Sequence, residues 1–122
     1  MKKTVMILLL SSLAFAVNSS YDQCLNKAQG TNASMQACNE SELKHLDKLL
    51  NKYYKRAMRN FEGEKKEKEK LKLAQRAWLK FRELDCKSQS YPMRDGTGEY
   101  TMYQSCMMDH LNDRIKTLKE FY

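Results

Sequence analysis

A chain of 122 residues with 22 Lys or Arg and 15 Asp or Glu carries a formal net charge of +7 and has the length of one domain. Four Gly and one Pro are too few for a collagen-like chain, a flexible linker or a sheet with glycine-rich phosphate loops. A hydrophobic fraction of 42%, with seven Tyr, four Phe and one Trp, excludes a fully disordered chain.

The N-terminal segment has the pattern of a secretory signal peptide. Two lysines precede an apolar run of about ten residues, and residues 14–16 read Ala-Phe-Ala, the small-residue pattern of a cleavage site. A membrane-spanning helix needs about 20 apolar residues, so this run is too short for one. We therefore predict a signal peptide over residues 1–16, with cleavage near residues 19–20 as the alternative, and a single domain over residues 17–122.

Export determines the charge and the compartment of the mature chain. Removal of residues 1–16 takes two lysines and no acid, which leaves 20 basic and 15 acidic residues and a net charge of +5. We expect a periplasmic or secreted bacterial protein with no membrane span once the signal is removed. Export also argues against nucleic acid as a partner.

The mature chain has four cysteines: Cys24, Cys38, Cys86 and Cys106. An even number in a short exported domain predicts two disulfides, for which three connectivities are possible. A zinc site is the weaker interpretation because no Cys-x-x-Cys pair is present, and we expect no metal. Pairing of Cys24 with Cys38 and of Cys86 with Cys106 is favoured because it closes two short loops, each worth about 3 kcal/mol in the loop-entropy model. The other two connectivities stay open.

Glycine and proline divide the mature chain into helical segments. A short helix is expected from Ser20 to Gly30, and a long one from about residue 33 to Phe61, where apolar residues recur at spacings of three and four. The same spacing recurs between Gly63 and Cys86 and again in the C-terminal segment. Strand-like alternation is absent from these three long segments. The short turn at Gly63 predicts that the first two long helices are antiparallel neighbours.

We therefore predict an all-α fold, a small up-down bundle of three long helices plus a short N-terminal helix, stapled by two disulfides. The residues expected in its core are Leu46, Leu50, Trp78, Phe81 and Leu111. The two aromatic residues are placed there because they lie at helical spacing with Leu71 and Ala74.

Residues 74–86, with the sequence Ala-Gln-Arg-Ala-Trp-Leu-Lys-Phe-Arg-Glu-Leu-Asp-Cys, form the most distinctive stretch of the chain. Three further motifs accompany it: Met35-x-x-Cys38, Leu50-Asn51-x-Tyr53, and Cys106 followed by Leu111-x-x-Arg114-x-x-x-Leu118. Together they resemble the lysozyme-inhibitor LprI-like family over nearly the whole mature chain. The resemblance implies an all-helical, disulfide-stapled envelope protein and, for some relatives, inhibition of lysozyme.

Polar residues in and near this stretch are expected to brace the helices against one another. Arg82 and Asp85 are three residues apart and can pair on one helix, and Arg114 could reach Asp85 if the last two long helices pack together. A buried arginine needs such a partner because an unpaired charge away from water is costly. The predicted brace consists of Gln75, Arg82, Asp85 and Arg114, with a ligand site as the alternative.

A basic stripe is predicted along the first long helix. Its members lie three or four residues apart: Lys44, Lys48, Lys52, Lys55 and Arg59. Such a stripe attracts anionic polymers, although an ordinary solvated helix face has the same pattern.

The connection over residues 87–99 is the candidate recognition loop. Its candidate contact residues are Tyr91, Met93, Arg94 and Asp95. Aromatic and Arg side chains are the usual anchors of an interface, and a loop ordered by nearby disulfides loses less entropy on binding. One inhibitory mechanism would insert Arg94 between the two acidic groups of a muramidase cleft. An ordinary surface loop is the alternative.

The sequence predicts no catalytic residues and no cofactor. Its two histidines, His45 and His110, have no partners in a recognisable catalytic motif, and the cysteines are committed to disulfides.

The leading hypothesis is a non-enzymatic secreted or periplasmic binding protein that inhibits lysozyme through the 87–99 loop, with a lysozyme or another envelope protein as partner. The alternative is an envelope structural or accessory protein whose basic helix face binds anionic polymers such as lipopolysaccharide.

Overall fold

The computed structural model describes residues 20–121, so the predicted signal peptide lies outside the described residues. Within this range the chain forms four α-helices and a short 3-10 helix, and no strand. The elements are α1 (Ser20–Ala28), α2 (Asn32–Asn60), α3 (Lys65–Ser90), the 3-10 helix (Tyr91–Met93) and α4 (Glu99–Lys119). The all-α prediction is confirmed. None of the helices between residues 20 and 121 is long and apolar enough to cross a membrane.

The turns before and after α2 form where the sequence supplies residues that tolerate them. Gly30 has φ +75° and Gly63 has φ +83°, a left-handed conformation that glycine adopts without a Cβ clash. Thr31 then caps α2, because its side-chain oxygen accepts a hydrogen bond from the Ser34 N–H at 3.3 Å.

Helix α4 lies at the centre of the bundle and packs against both α2 and α3. Helix α3 has few contacts with α2, such as that of Arg82 with Asp47. The prediction that these two helices are direct neighbours was therefore wrong. The buried apolar cluster comes mainly from α2 and α4, with one residue of α3: Leu46, Leu50, Ala57, Leu71, Met108, Leu111, Ile115 and Leu118. Helix α3 is therefore held to the bundle mostly through α4.

Both disulfides have the favoured pairing. Cys24–Cys38 joins α1 to α2, and Cys86–Cys106 joins the last turns of α3 to the N-terminal half of α4. The second bridge also determines the rotation of α3 about its own axis, because Cys86 must face α4. Cys86 is fully buried as a result.

One residue predicted to be in the core is not there. The face of α3 that turns toward the bundle carries a series of residues that lead back from Cys86 in steps of three or four: Arg82, Trp78, Gln75 and Leu71. Phe81 precedes Arg82 and is rotated by about 100° from it, so its side chain is 58% exposed. Trp78 is half-buried and packs against the core from its edge.

The connection between α3 and α4 is shorter than expected. Helix α3 continues to Ser90, and the 3-10 helix extends the ordered backbone to Met93, so that only residues 94–98 separate it from α4. Pro92 explains the change of helix type, because proline lacks the N–H that a continuing α-helix requires.

Candidate functional site

The loop between α3 and α4, which runs from Tyr91 to Gly98 and includes the 3-10 helix, has a defined backbone conformation. Asp95 occupies the left-handed region with φ +63°, which Asp tolerates better than most residues. The Asp95 N–H donates a hydrogen bond to Oε2 of Glu99 at 3.0 Å, so the first residue of α4 holds the loop against its own helix. The Gly96 N–H donates to the carbonyl of Met93 at 3.1 Å. These bonds fix the turn on its C-terminal side.

The same loop is tied to the start of α2. Nδ2 of Asn32 donates to Oγ1 of Thr97 at 2.9 Å, and Nε2 of Gln36 donates to the Thr97 carbonyl at 3.2 Å. Gln36 also donates to Oγ1 of Thr101 on α4 at 3.1 Å. The loop is therefore fixed by side chains from two helices as well as by its own backbone.

A buried amide network lies beneath these contacts. Gln104 of α4 has no solvent exposure, and its Nε2 donates to the carbonyl of Gln36 at 3.2 Å while its Oε1 accepts from Asn39. Asn39 in turn accepts a hydrogen bond of 2.6 Å from the hydroxyl of Tyr21 on α1. Burial raises the pKa of Tyr21, which keeps its phenol protonated as a donor. The network thus links α1, α2 and α4 to the loop.

The candidate contact residues lie on the outside of this anchored loop. Tyr91 and Met93 are both exposed, and the Arg94 guanidinium is stacked 4.5 Å above the centre of the Tyr91 ring. Among residues 20–121 Arg94 has no carboxylate partner within 4 Å, so its guanidinium is free of any ion pair there and is stacked on Tyr91. Asp95 is exposed next to it.

A shallow cavity of about 380 Å³ opens beside the loop. Its lining comes from the end of α3, the loop and the first turns of α4: Lys87, Ser90, Gly96, Glu99, Tyr100 and Tyr103. The two tyrosine rings are nearly parallel, with an angle of 16° and 6.2 Å between their centres. The loop and this cavity together offer aromatic, cationic and hydroxyl groups on one surface.

The four residues of the predicted brace do not pair as expected. Nε of Arg114 donates to Oε1 of Gln75 at 2.8 Å, which links α4 to α3, and burial lowers the pKa of Arg114. Arg82 pairs with Asp47 of α2 at 3.8 Å instead of with Asp85. Its guanidinium also lies 4.8 Å from the Trp78 ring centre, while its buried Nε and Nη1 have no hydrogen-bond partner within residues 20–121.

Asp85 pairs with a residue that the sequence analysis did not assign to the brace. Nε2 of His110 lies 2.7 Å from Oδ2 of Asp85 and donates to the carboxylate, which also accepts from Gln89. These hydrogen bonds, the one from His110 above all, lower the pKa of Asp85. His110 is four residues beyond Cys106 on α4, so helical spacing from the disulfide would have placed it beside α3.

The same histidine lies close to a disulfide. A ring nitrogen of His110 and the sulfurs of Cys86 and Cys106 lie within 4.8 Å of one another. Both sulfurs form the Cys86–Cys106 bond, so neither is available as the thiolate that a zinc site requires.

The predicted basic stripe lies on an exposed face of α2. All five of its residues are exposed, from Lys44 to Arg59. Lys44 lies 3.9 Å from Glu40, and Lys52 lies 5.6 Å from the ring centre of Tyr53. The stripe begins at Lys44, about two turns beyond Gln36, which contacts the loop, so the two candidate surfaces lie on different parts of α2.

These features define a class: a small, disulfide-stapled helical domain with an anchored loop between its last two helices. The family model described as lysozyme inhibitor LprI matches residues 24–118, and the chain belongs to this family. The family resemblance that the motif around Trp78 predicted is thereby confirmed. No curated protein and no solved structure matches the chain.

The Asp85–His110 contact makes stability depend on pH. The pKa of Asp85 is lower in the folded protein than the ordinary value of about 4, so the contact stabilises above that pH and is lost as pH falls through the folded pKa. We expect D85N to lower the urea midpoint at pH 7 and to have a smaller effect at pH 2. Glu40→Gln, which removes an exposed carboxylate on α2 away from this contact, is the control. An equal effect of D85N at both pH values would contradict this assignment.

Proposed function

We propose that this protein is an exported, non-enzymatic inhibitor of lysozyme that acts in the periplasm or outside the cell. Family membership supports the activity, and the two disulfides suit an oxidising compartment. One structural observation supports the contact surface: Arg94 lies on a loop that two helices hold in place, stacked on an exposed tyrosine. We therefore assign the contact to the loop from Tyr91 to Gly98.

The chemistry of a muramidase cleft suits an arginine. Two carboxylates flank the bond that such an enzyme cleaves, and a planar guanidinium can hydrogen-bond to a carboxylate through two N–H groups at once. Stacking on Tyr91 restricts the Arg94 side chain before binding, which reduces the entropy lost in the complex. Tyr91 and Met93 would supply apolar contact around the arginine.

The net charge of the protein makes these local contacts necessary. Animal lysozymes of the common type are basic, and the mature chain carries an expected net charge of +5, so long-range attraction does not assist their encounter. The affinity must then come from a few well-placed side chains. The anchored loop concentrates such side chains in one place.

Replacement of Arg94 tests this assignment. We expect the purified protein, with both disulfides intact, to slow lysis of bacterial cell walls by lysozyme, and R94A to raise the inhibition constant by about tenfold or more. Arg94→Lys keeps the charge but loses the planar group, so it should restore the activity only in part. Arg59→Ala, an exposed arginine far from the loop on α2, is the matched control and should inhibit like the unmodified protein.

Helical circular dichroism of each variant confirms that the fold is intact before inhibition is compared. The absence of inhibition by the unmodified protein at large molar excess, across several types of lysozyme, would exclude the activity. Full inhibition by R94A would leave the activity in place and exclude the loop contact.

The exposed basic stripe of α2 supports a second candidate function, binding of anionic envelope polymers such as lipopolysaccharide. Five basic side chains follow one face of α2 over four turns, and among residues 20–121 only Lys44 has an acidic partner within 4 Å. An anionic polymer could neutralise several of them at once.

This second function predicts binding that depends on salt. Binding to lipopolysaccharide should weaken as ionic strength rises and should be lost when four stripe residues are replaced by Glu: Lys48, Lys52, Lys55 and Arg59. R94A should bind like the unmodified protein. Binding that is independent of salt, or unchanged by the four substitutions, would exclude this function.

A further inference from the structure

The outer face of α3 carries a row of exposed apolar side chains. Leu73, Phe81 and Leu84 are 54%, 58% and 57% exposed, and Ala74 and Ala77 are exposed between them. At 3.6 residues per turn all five lie within about 100° of arc around the helix axis. We name this row the α3 stripe; Ala74 and Phe81 border α4 along one side of it, and Leu73 and Leu84 face away from the bundle.

The side chains on the two edges of the α3 stripe have opposite charge. One edge has a net positive charge: Arg76 and Lys80 are exposed and have no acidic partner within 4 Å among residues 20–121, whereas Glu83 on the same edge is paired with Lys87 at 2.7 Å. The other edge lies toward α4, where a small polar cavity is lined by Asp85, Asp109, His110 and Asp113. The Phe81 ring meets the His110 ring edge to face at 5.5 Å, so the acidic edge directly adjoins the stripe.

This distribution of charge favours a second copy of the chain as the partner of the α3 stripe. Two copies of α3 can pair in parallel about a two-fold axis that runs in the direction of the helices. In that arrangement each edge of the stripe on one copy meets the opposite edge of the stripe on the other copy. The basic edge of each α3 stripe would then face the acidic edge of its partner. An antiparallel pair would bring like edges together, and an anionic lipid surface would repel the aspartates.

We propose that the protein forms a symmetric dimer in which the α3 stripes of two copies pack in parallel. Ala74 and Ala77 allow close approach of the two helices near the middle of the stripe, and Phe81 and Leu84 supply the apolar contact toward one end. At the other end the stripe stops at Lys70, whose charge is partly compensated by Glu67 at 3.0 Å. The dimer leaves the loop from Tyr91 to Gly98 free, so this proposal stands independently of lysozyme inhibition.

Sedimentation equilibrium of the purified protein, with both disulfides intact, measures the association. We expect a reversible monomer–dimer equilibrium and an increase of about tenfold or more in the dissociation constant for Phe81→Gln. Leu79→Gln is the matched control, because Leu79 is 40% exposed on the same helix but faces α2. That variant should dimerise like the unmodified protein. Both changes are at exposed positions, and thermal unfolding verifies that each variant is folded.

Charge reversal tests the parallel arrangement. Lys80→Glu and Asp113→Lys should each weaken the dimer, and the double variant should recover most of the lost affinity, because each edge still meets an edge of opposite charge. Higher salt should weaken the unmodified dimer. A dimer that Lys80→Glu strengthens would contradict the parallel arrangement.

Two other outcomes would overturn the proposal altogether. One is a protein that remains monomeric at millimolar concentration. The other is a monomer that sediments with vesicles of anionic phospholipid and loses this binding in Phe81→Gln, which would assign the stripe to a membrane surface.

Discussion

The Cys86–Cys106 disulfide determines how α3 is positioned on the rest of the protein. Helices α2 and α4 share an apolar core, but within residues 20–121 α3 contributes only Leu71 to this buried cluster. Apart from Cys86 itself, the remainder of its inner face is polar or partly exposed, with Gln75 bonded to Arg114 and Arg82 stacked on Trp78. Apolar burial alone would therefore hold α3 weakly. A covalent link between α3 and α4 compensates for this deficit, as expected in a domain with a small core.

Both proposed surfaces depend on this link. The loop from Tyr91 to Gly98 begins five residues after Cys86 and ends eight residues before Cys106, so the disulfide closes the chain beneath it. Rotation of α3 follows from the same bond: with Cys86 turned inward, Phe81 and Leu84 must turn outward. The constraint that orders the loop is thus also the one that exposes the α3 stripe.

The sequence predicted the helices well because their boundaries depend on local signals. Gly30, Gly63 and Pro92 interrupt apolar residues of helical spacing, and the structure ends or changes each helix at those places. Short loop length favoured the observed disulfide pairing, although it left the other two connectivities open. The prediction of the buried face of α3 was wrong for Phe81, because the inner and outer sides of this helix both carry apolar residues. Spacing alone could not separate Leu71 and Trp78 from Phe81.

The partners of the polar residues were harder to predict. Arg82 pairs with Asp47 and Asp85 pairs with His110, and both pairs join residues that lie far apart in the sequence. The amide network of Gln104, Asn39 and Gln36 gave no signal, because an amide in a helix looks like any exposed polar residue until its burial is known. Spacing from Cys106 was the one clue available for His110. Tertiary packing, rather than local pattern, determines these contacts.

Amide hydrogen exchange on a variant without the second bridge tests the central claim, that Cys86–Cys106 holds α3 and its loop on the bundle. In Cys86→Ala/Cys106→Ala we expect amides of α3 and of residues 94–98 to exchange much faster, in line with the loss of about 3 kcal/mol. Amides in the centres of α2 and α4 should keep most of their protection, and Cys24→Ala/Cys38→Ala should leave α3 protected. Protection of α3 at the level of the unmodified protein, in the variant that lacks Cys86–Cys106, would contradict the account.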